Sequence, residues 1–219
     1  MKYLIALLLI TNLSFAQEWT KTELNDYSSI EFPIAPEKTV QNGDVYYSTS
    51  DDYGVYLVMI RNMGNQKISE SELPQFYEGF MDGALKSVNG ELLKQNEFNT
   101  NGIIGNEMVY LANSNPQLPN LRYKRVILKN NNLISYEFWT FEESEQIASK
   151  NKEKFFNSIS VSDAKVAEPE NSEKEKENSA YESGFLIGKV VFYLFVIGLI
   201  IGGILLIRKL TKKKNKNVG

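Results

Sequence analysis

The run from Phe185 to Ile207, FLIGKVVFYLFVIGLIIGGILLI, constrains this chain more than any other stretch, because its only charge is Lys189. About 23 residues at roughly 1.5 Å rise each make a helix long enough to cross a hydrocarbon core of about 30 Å. The run reads as a transmembrane helix, residues 185–207, and the rest of the sequence sorts to its two sides. Arg208, Lys209, Lys212, Lys213, Lys214 and Lys216 follow at once, in a basic tail, 208–219, that belongs on the cytoplasmic side.

The other end of the chain agrees. Met1 to Ala16, MKYLIALLLITNLSFA, joins a lysine, a short apolar run and small residues at Ser14 and Ala16. That is the pattern of a secretory signal peptide, 1–16, cleaved between Ala16 and Gln17. An uncleaved N-terminal anchor is the other reading. Without cysteine there is no lipidated leader and no disulfide. Signal peptide and basic tail together put the body outside and the tail inside. Between body and span, residues 164–184 are charged, poor in large apolar groups and broken by Pro169, as a flexible stalk would be.

The body, 17–163, alternates β-rich runs with two helical patterns. Tyr27–Phe32, Val45–Ser50 and Val55–Arg61 read as strands, the last two joined at Asp51-Asp52-Tyr53-Gly54. Both faces of Val55–Arg61 are apolar, so it belongs in the middle of a sheet covered on both sides. Leu73, Phe76, Tyr77, Phe80, Ala84 and Val88 recur at helical spacing, with Ser69 or Ser71 as candidate cap and Gly90 as candidate stop. Gly79 and Gly83 lie on the flank of that stripe. Close packing on the sheet is the preferred reading, and close approach of some other neighbour or ligand is the alternative. Four strands follow, Leu92–Phe98, Ile103–Ala112, Leu121–Lys129 and Leu133–Phe141, joined by asparagine-rich turns and one proline-broken loop, Ser114–Asn120. A last helix, about 141–157, has Thr140 and Glu143 at capping-box spacing and Ala148, Phe155, Phe156 and Ile159 inward.

Strands and helices are segregated, so the fold class is α+β: an antiparallel sheet with packed helices. At Ile30-Glu31-Phe32-Pro33-Ile34-Ala35-Pro36 the chain resembles the opening of small PsbP-like domains. Its middle helix, four-strand meander and Phe155-Phe156-Asn157-Ser158-Ile159 ending are similar as well. The resemblance implies an α-β-α sandwich and a secreted or envelope-associated binding or assembly factor rather than an enzyme.

Composition removes many chemistries. With neither histidine nor cysteine, there is no Ser-His-Asp triad, no Cys-His pair and no ordinary zinc site. No glycine-rich phosphate loop is present, and no cofactor is expected. Two acidic groups are candidates for paired-carboxylate hydrolysis: Asp51-Asp52, read more simply as a turn, and Glu142, Glu143 and Glu145, read as a helix start. Arg122, Lys124 and Arg125 form a candidate anion or partner patch, with a solvated strand face as the plainer account. Gly184, Gly188, Gly198 and Gly202 fall on one stripe of a helix and suit close helix pairing.

The expectation is therefore a single-pass membrane protein of a bacterial inner membrane with a periplasmic body. Its partners are the lipid bilayer and a protein partner or a second copy met through the span. An acidic body argues against nucleic acid. Its function is non-catalytic binding or assembly, with a carboxylate hydrolase of an envelope polymer as the alternative and a small-ligand sensor third.

Overall fold

A computed structural model of the chain describes residues 19–162 and 180–189. The leader with Ala16 and Gln17, Asp163 at the end of the body, residues 164–179 of the stalk, the run beyond Lys189 with Gly198 and Gly202, and the basic tail lie outside the described residues. Among the described residues no helix is long and apolar enough to cross a membrane.

Ten strands are described. Thr20–Asn25 (β1) and Ser28–Phe32 (β2) form a small antiparallel sheet with the short Ser160–Val161 (β10). Glu37–Gln41 (β3), Asp44–Ser50 (β4), Val55–Asn62 (β5), Glu91–Thr100 (β6), Ile103–Leu111 (β7), Leu121–Lys129 (β8) and Asn132–Thr140 (β9) form a seven-stranded antiparallel sheet. Its order is β3-β4-β5-β9-β8-β7-β6. Helix α1 spans Leu73–Ser87. Helix α2 spans Glu145–Asn157, after a 3-10 turn at Glu142–Ser144. Residues 180–189 are helical too. The antiparallel α+β architecture expected from the sequence is present.

As expected, β5 lies inside the large sheet with both faces covered. Leu57 and Met59 pack into a core beneath α1, with Phe76, Phe80, Met81 and Trp139. Tyr56, Val58 and Ile60 pack into a second core, with Phe138, Phe155 and Phe156. Helices lie on both sides of the large sheet, α1 over the first core and α2 over the second. The second core is closed by α2 together with the small sheet, through Leu24, Tyr27, Ile30 and Phe32.

Local capping differs from the expectation. Glu72 stands at the N-cap of α1, and neither Ser69 nor Ser71 caps it; the Ser69 backbone N–H and hydroxyl both donate to the Glu72 carboxylate, at 2.9 and 2.6 Å. Asn89, with φ of 49°, takes the left-handed position after α1, and the Gly90 N–H donates to the Leu85 carbonyl at 2.8 Å. Thr140 belongs to β9 and donates its hydroxyl to the Tyr53 carbonyl, so it does not cap the last helix.

The two ends of the large sheet differ in chemistry. One end gathers the hairpin turns Asn42-Gly43, Asn101-Gly102 and Asn130-Asn131, every residue of which has positive φ, as tight two-residue hairpins need. The opposite end carries the Asp51–Gly54 turn, the start of β6, the loop 112–120 and the chain after β9. Helix α1 runs from the asparagine end to this opposite end. In its first half the Tyr77 hydroxyl accepts from the Leu128 N–H at 2.7 Å and donates to the Ile104 carbonyl at 3.2 Å. Burial pushes that phenol up to about 12, against the opposing Leu128 hydrogen bond, so the hydroxyl keeps the proton it donates. Beyond the last turn of α1, the Val88 carbonyl accepts from the Asn113 N–H at 3.0 Å.

Candidate functional site

Helix α1 and the 180–189 helix meet along a seam of four glycines. A Cβ on Gly79 would strike the carbonyl oxygen of Tyr181, and one on Gly83 that of Phe185. Reciprocally, a Cβ on Gly184 would strike the Phe76 carbonyl, and one on Gly188 the Phe80 carbonyl. Both partners advance four residues together, so the helices run parallel. Each offers two small residues one turn apart, the small-xxx-small device for close backbone approach. Carbonyl oxygens set against glycine α-carbons suit weak Cα–H···O contacts. Around the seam, Ala180 and Ile187 are buried in the α1 core. The Tyr181 hydroxyl donates to Asp82 at 2.8 Å, and the Lys86 ammonium lies 5.5 Å from the Phe185 ring centroid.

The sequence singled out all four of these glycines without pairing them with one another. Gly79 and Gly83 accommodate this neighbouring helix, which corrects the preferred reading of packing on the sheet. Gly184 and Gly188 are spent on the body. Residues 180–184, assigned to the stalk, are helical and docked, so the flexible stalk cannot extend through them.

Beneath α1 lies a buried charged row. The two-residue turn Asn130-Asn131 sets the β8–β9 register, which places Lys124 opposite Glu137 and Arg122 opposite Trp139. The Lys124 ammonium lies 2.7 Å from the Glu137 carboxylate, and the Trp139 indole N–H donates to the other carboxylate oxygen at 2.8 Å. The Arg122 guanidinium stacks 3.8 Å from the Trp139 ring centroid, and its Nε donates to the Pro119 carbonyl at 3.3 Å. Burial pushes the Glu137 carboxyl up. Lys124, the Trp139 hydrogen bond and Arg122 more than offset this, and hold it below the ordinary carboxylate range.

The candidate patch therefore divides. Arg122 and Lys124 are 1 and 2 % exposed, within the α1 core, whereas Arg125 points to the other face. Strand alternation is the reason: residues two apart share a face, and residues three apart do not. A solvated strand face does not describe Arg122 or Lys124 either. The signal for the ion pair was Glu137, the one charged residue beside Leu133, Ser135 and Trp139 on one face of β9, opposite Lys124 across a turn of fixed length.

Arg125 sits in a groove of about 210 Å³ between α2 and strands β7 and β8. Its Nε donates to Glu107 at 3.0 Å, and its guanidinium stacks on Phe98 and Phe156 at 5.1 and 4.9 Å. Lys152 caps the Tyr123 ring at 4.2 Å, and the Tyr123 hydroxyl donates to Glu145. Arg125 and Lys152 thus already have anionic or aromatic partners.

The acidic candidates hold local structure. Asp51 Oδ1 accepts from the backbone N–H groups of Tyr53 and Gly54 at 2.8 and 3.0 Å, which builds the β4–β5 turn. Its Oδ2 accepts from the Tyr56 hydroxyl at 3.0 Å and from Asn151 at 3.3 Å, which ties the turn to α2. Asp51→Ala should lower unfolding free energy by about 1–3 kcal/mol, since it strips partners from a buried hydroxyl and two backbone donors. An unchanged urea midpoint would contradict this account of Asp51. Glu142 and Glu143 lie in the 3-10 turn and Glu145 opens α2. Among the described residues no group of three or more acidic side chains is placed to hold a metal ion.

No protein-family model and no curated protein sequence matches this chain. Its fold is similar to solved structures. The solution structure of cyanobacterial PsbP from Synechocystis matches with a TM-score of 0.52 at 13% identity, over 67% of this chain and 94% of that one. A protein of unknown function from Pseudomonas aeruginosa, described as a putative regulator, matches at 0.37 and 13% identity, over 70% of this chain and 99% of that one. A Bacteroides thetaiotaomicron structure matches at 0.30 and 12% identity, over 63% of this chain and 46% of that one. The first likeness establishes a PsbP-like α+β fold. At this identity it carries fold and no function.

Proposed function

We propose that this chain is a membrane-anchored binding or assembly module, with its α+β body outside the cytoplasm, at a bacterial inner membrane, and its basic tail inside. The body acts by holding a protein partner beside the bilayer and performs no catalysis of its own. The observation that carries the reading is the glycine seam, because the segment docked on α1 ends where the apolar run to Ile207 continues. A body packed on its own anchor is positioned with respect to the membrane rather than left on a long tether. The structural duty of Asp51 in the β4–β5 turn supports the same reading over carboxylate hydrolysis.

The test is cross-linking in intact cells with tagged full-length protein, after confirming that the chain resists carbonate extraction from membranes. The expected result is a stoichiometric partner that disappears when residues 17–163 are deleted. Release by carbonate would remove the anchor. Absence of any partner, together with hydrolysis of envelope polymer by the purified protein, would replace the reading with the hydrolase.

A further inference from the structure

The parallel seam has a directional consequence, which rests on the anchor reading above. Helix α1 runs from the asparagine end of the sheet to the opposite end, and the 180–189 helix runs beside it in the same direction. The apolar sequence after Lys189 therefore starts at the opposite end. That end exposes four large apolar or aromatic side chains: Tyr53 at 42 %, Leu92 at 44 %, Leu93 at 50 % and Phe141 at 39 %. The sheet register brings them together. Glu91 pairs with Leu111, Leu111 with Leu121 and Leu121 with Thr140, and Thr140 bonds the Tyr53 carbonyl. The asparagine end exposes Val40 and Ile104 among polar turns.

We propose that the end bearing Tyr53, Leu92, Leu93 and Phe141 is a lipid-contacting surface, pressed onto the head groups by the docking of residues 180–189 on α1. Aromatic and leucine side chains at the edge of a body suit the interfacial zone, where ring and aliphatic surface leaves water while backbone stays hydrated. Lys189, at the exit, can extend its ammonium to the same level. Asp52, Glu91, Glu142 and Glu143 lie at this end too. The surface therefore favours zwitterionic lipid, since an anionic bilayer would repel it.

The chain has no cysteine, so single-cysteine probes need no background removal. Full-length Leu93→Cys, Phe141→Cys, Asn101→Cys and Leu205→Cys proteins, each carrying a small fluorophore, would be placed in phosphatidylcholine nanodiscs with nitroxide-labelled lipid. The expected pattern is strong quenching at 205, loss of most fluorescence at 93 and 141, and none at 101. Adding Gly184→Leu should abolish quenching at 93 and 141 and leave 205 quenched. Replacing half the lipid with phosphatidylglycerol should weaken quenching at 93 and 141 alone. If 205 is quenched while 93 and 141 match 101, the lipid-contacting surface is overturned and the anchor stands. If 205 is not quenched, the anchor fails and takes this proposal with it. Quenching at 93 and 141 that survives Gly184→Leu would overturn the role of the seam.

Discussion

Glu137→Gln is expected to cost the full-length protein about 3–5 kcal/mol of unfolding free energy, the usual penalty for stripping one partner from a buried ion pair. Lys124 would keep its burial, 2 % exposed, and lose the carboxylate that compensates it. The double variant Lys124→Met/Glu137→Leu should recover most of the loss, because apolar side chains of similar volume remove the desolvation problem from both sides. Urea unfolding followed by tryptophan fluorescence reads this well, since Trp139 donates to Glu137. A double variant no more stable than the single one would show that the pair does more than satisfy itself. The pH dependence has a definite sign. Burial raises the Glu137 carboxyl, the surrounding donors and cations lower it further, and the net value lies below the ordinary 4.5. A carboxyl depressed on folding stabilises fully above its unfolded value, and that contribution is lost as pH falls through the folded value. The gap between native protein and Glu137→Gln should therefore be constant near neutrality and close below about pH 4.

Gly83→Leu should detach the 180–189 helix from α1. A leucine there would meet the Phe185 carbonyl and the Lys189 nitrogen, which are backbone atoms that cannot rotate away. Overpacking costs about 1–3 kcal/mol even where neighbours relax. Burial of Ile187, which joins the α1 core with Ala180, is worth about 1.5–3 kcal/mol. The two are comparable, and undocking relieves the strain without unfolding the sheet. Spin labels at Glu78→Cys and Glu182→Cys would read the separation in detergent. The native distribution should be narrow and short, and in Gly83→Leu it should broaden and lengthen by at least about 8–10 Å, one interhelix spacing. Leu186→Ala, at a position 61 % exposed, should change nothing. An unaltered distance in Gly83→Leu would mean that the seam is not what holds the helices together.

Much of the fold is readable in the residues. Alternating apolar faces identify β5, and helical spacing identifies α1. The turns at Asn101-Gly102 and Asn130-Asn131 fix the meander from β6 to β9, because paired positive φ leaves the chain little choice. β3 escapes such a reading. Its sequence Glu-Lys-Thr-Val-Gln has no buried face, since it is an edge strand in water, and only the Asn42-Gly43 turn after it announces a hairpin. β10 has two residues, too few for any period. The seam was visible as four glycines and illegible as a contact, because nothing local links Gly79 with Tyr181. The charged row was hidden for the opposite reason: Arg122, Lys124 and Arg125 look like one cluster in line, and the pleat sends them to two faces.

The order of strands bears on how the body assembles. β3, β4 and β5 form one meander of neighbours in sequence, and β6, β7, β8 and β9 form another. They meet along a single antiparallel boundary, β5 with β9, from Val55 opposite Trp139 to Asn62 opposite Asn132. Each meander closes short loops at small entropic cost, whereas the boundary must join distant parts of the chain before either core is complete. Substitutions that weaken the boundary should slow folding, while those inside either meander should chiefly speed unfolding. The boundary runs through Tyr56, Val58, Tyr136 and Phe138 on one face and past Glu137 on the other, so the step that completes the sheet also buries its charge.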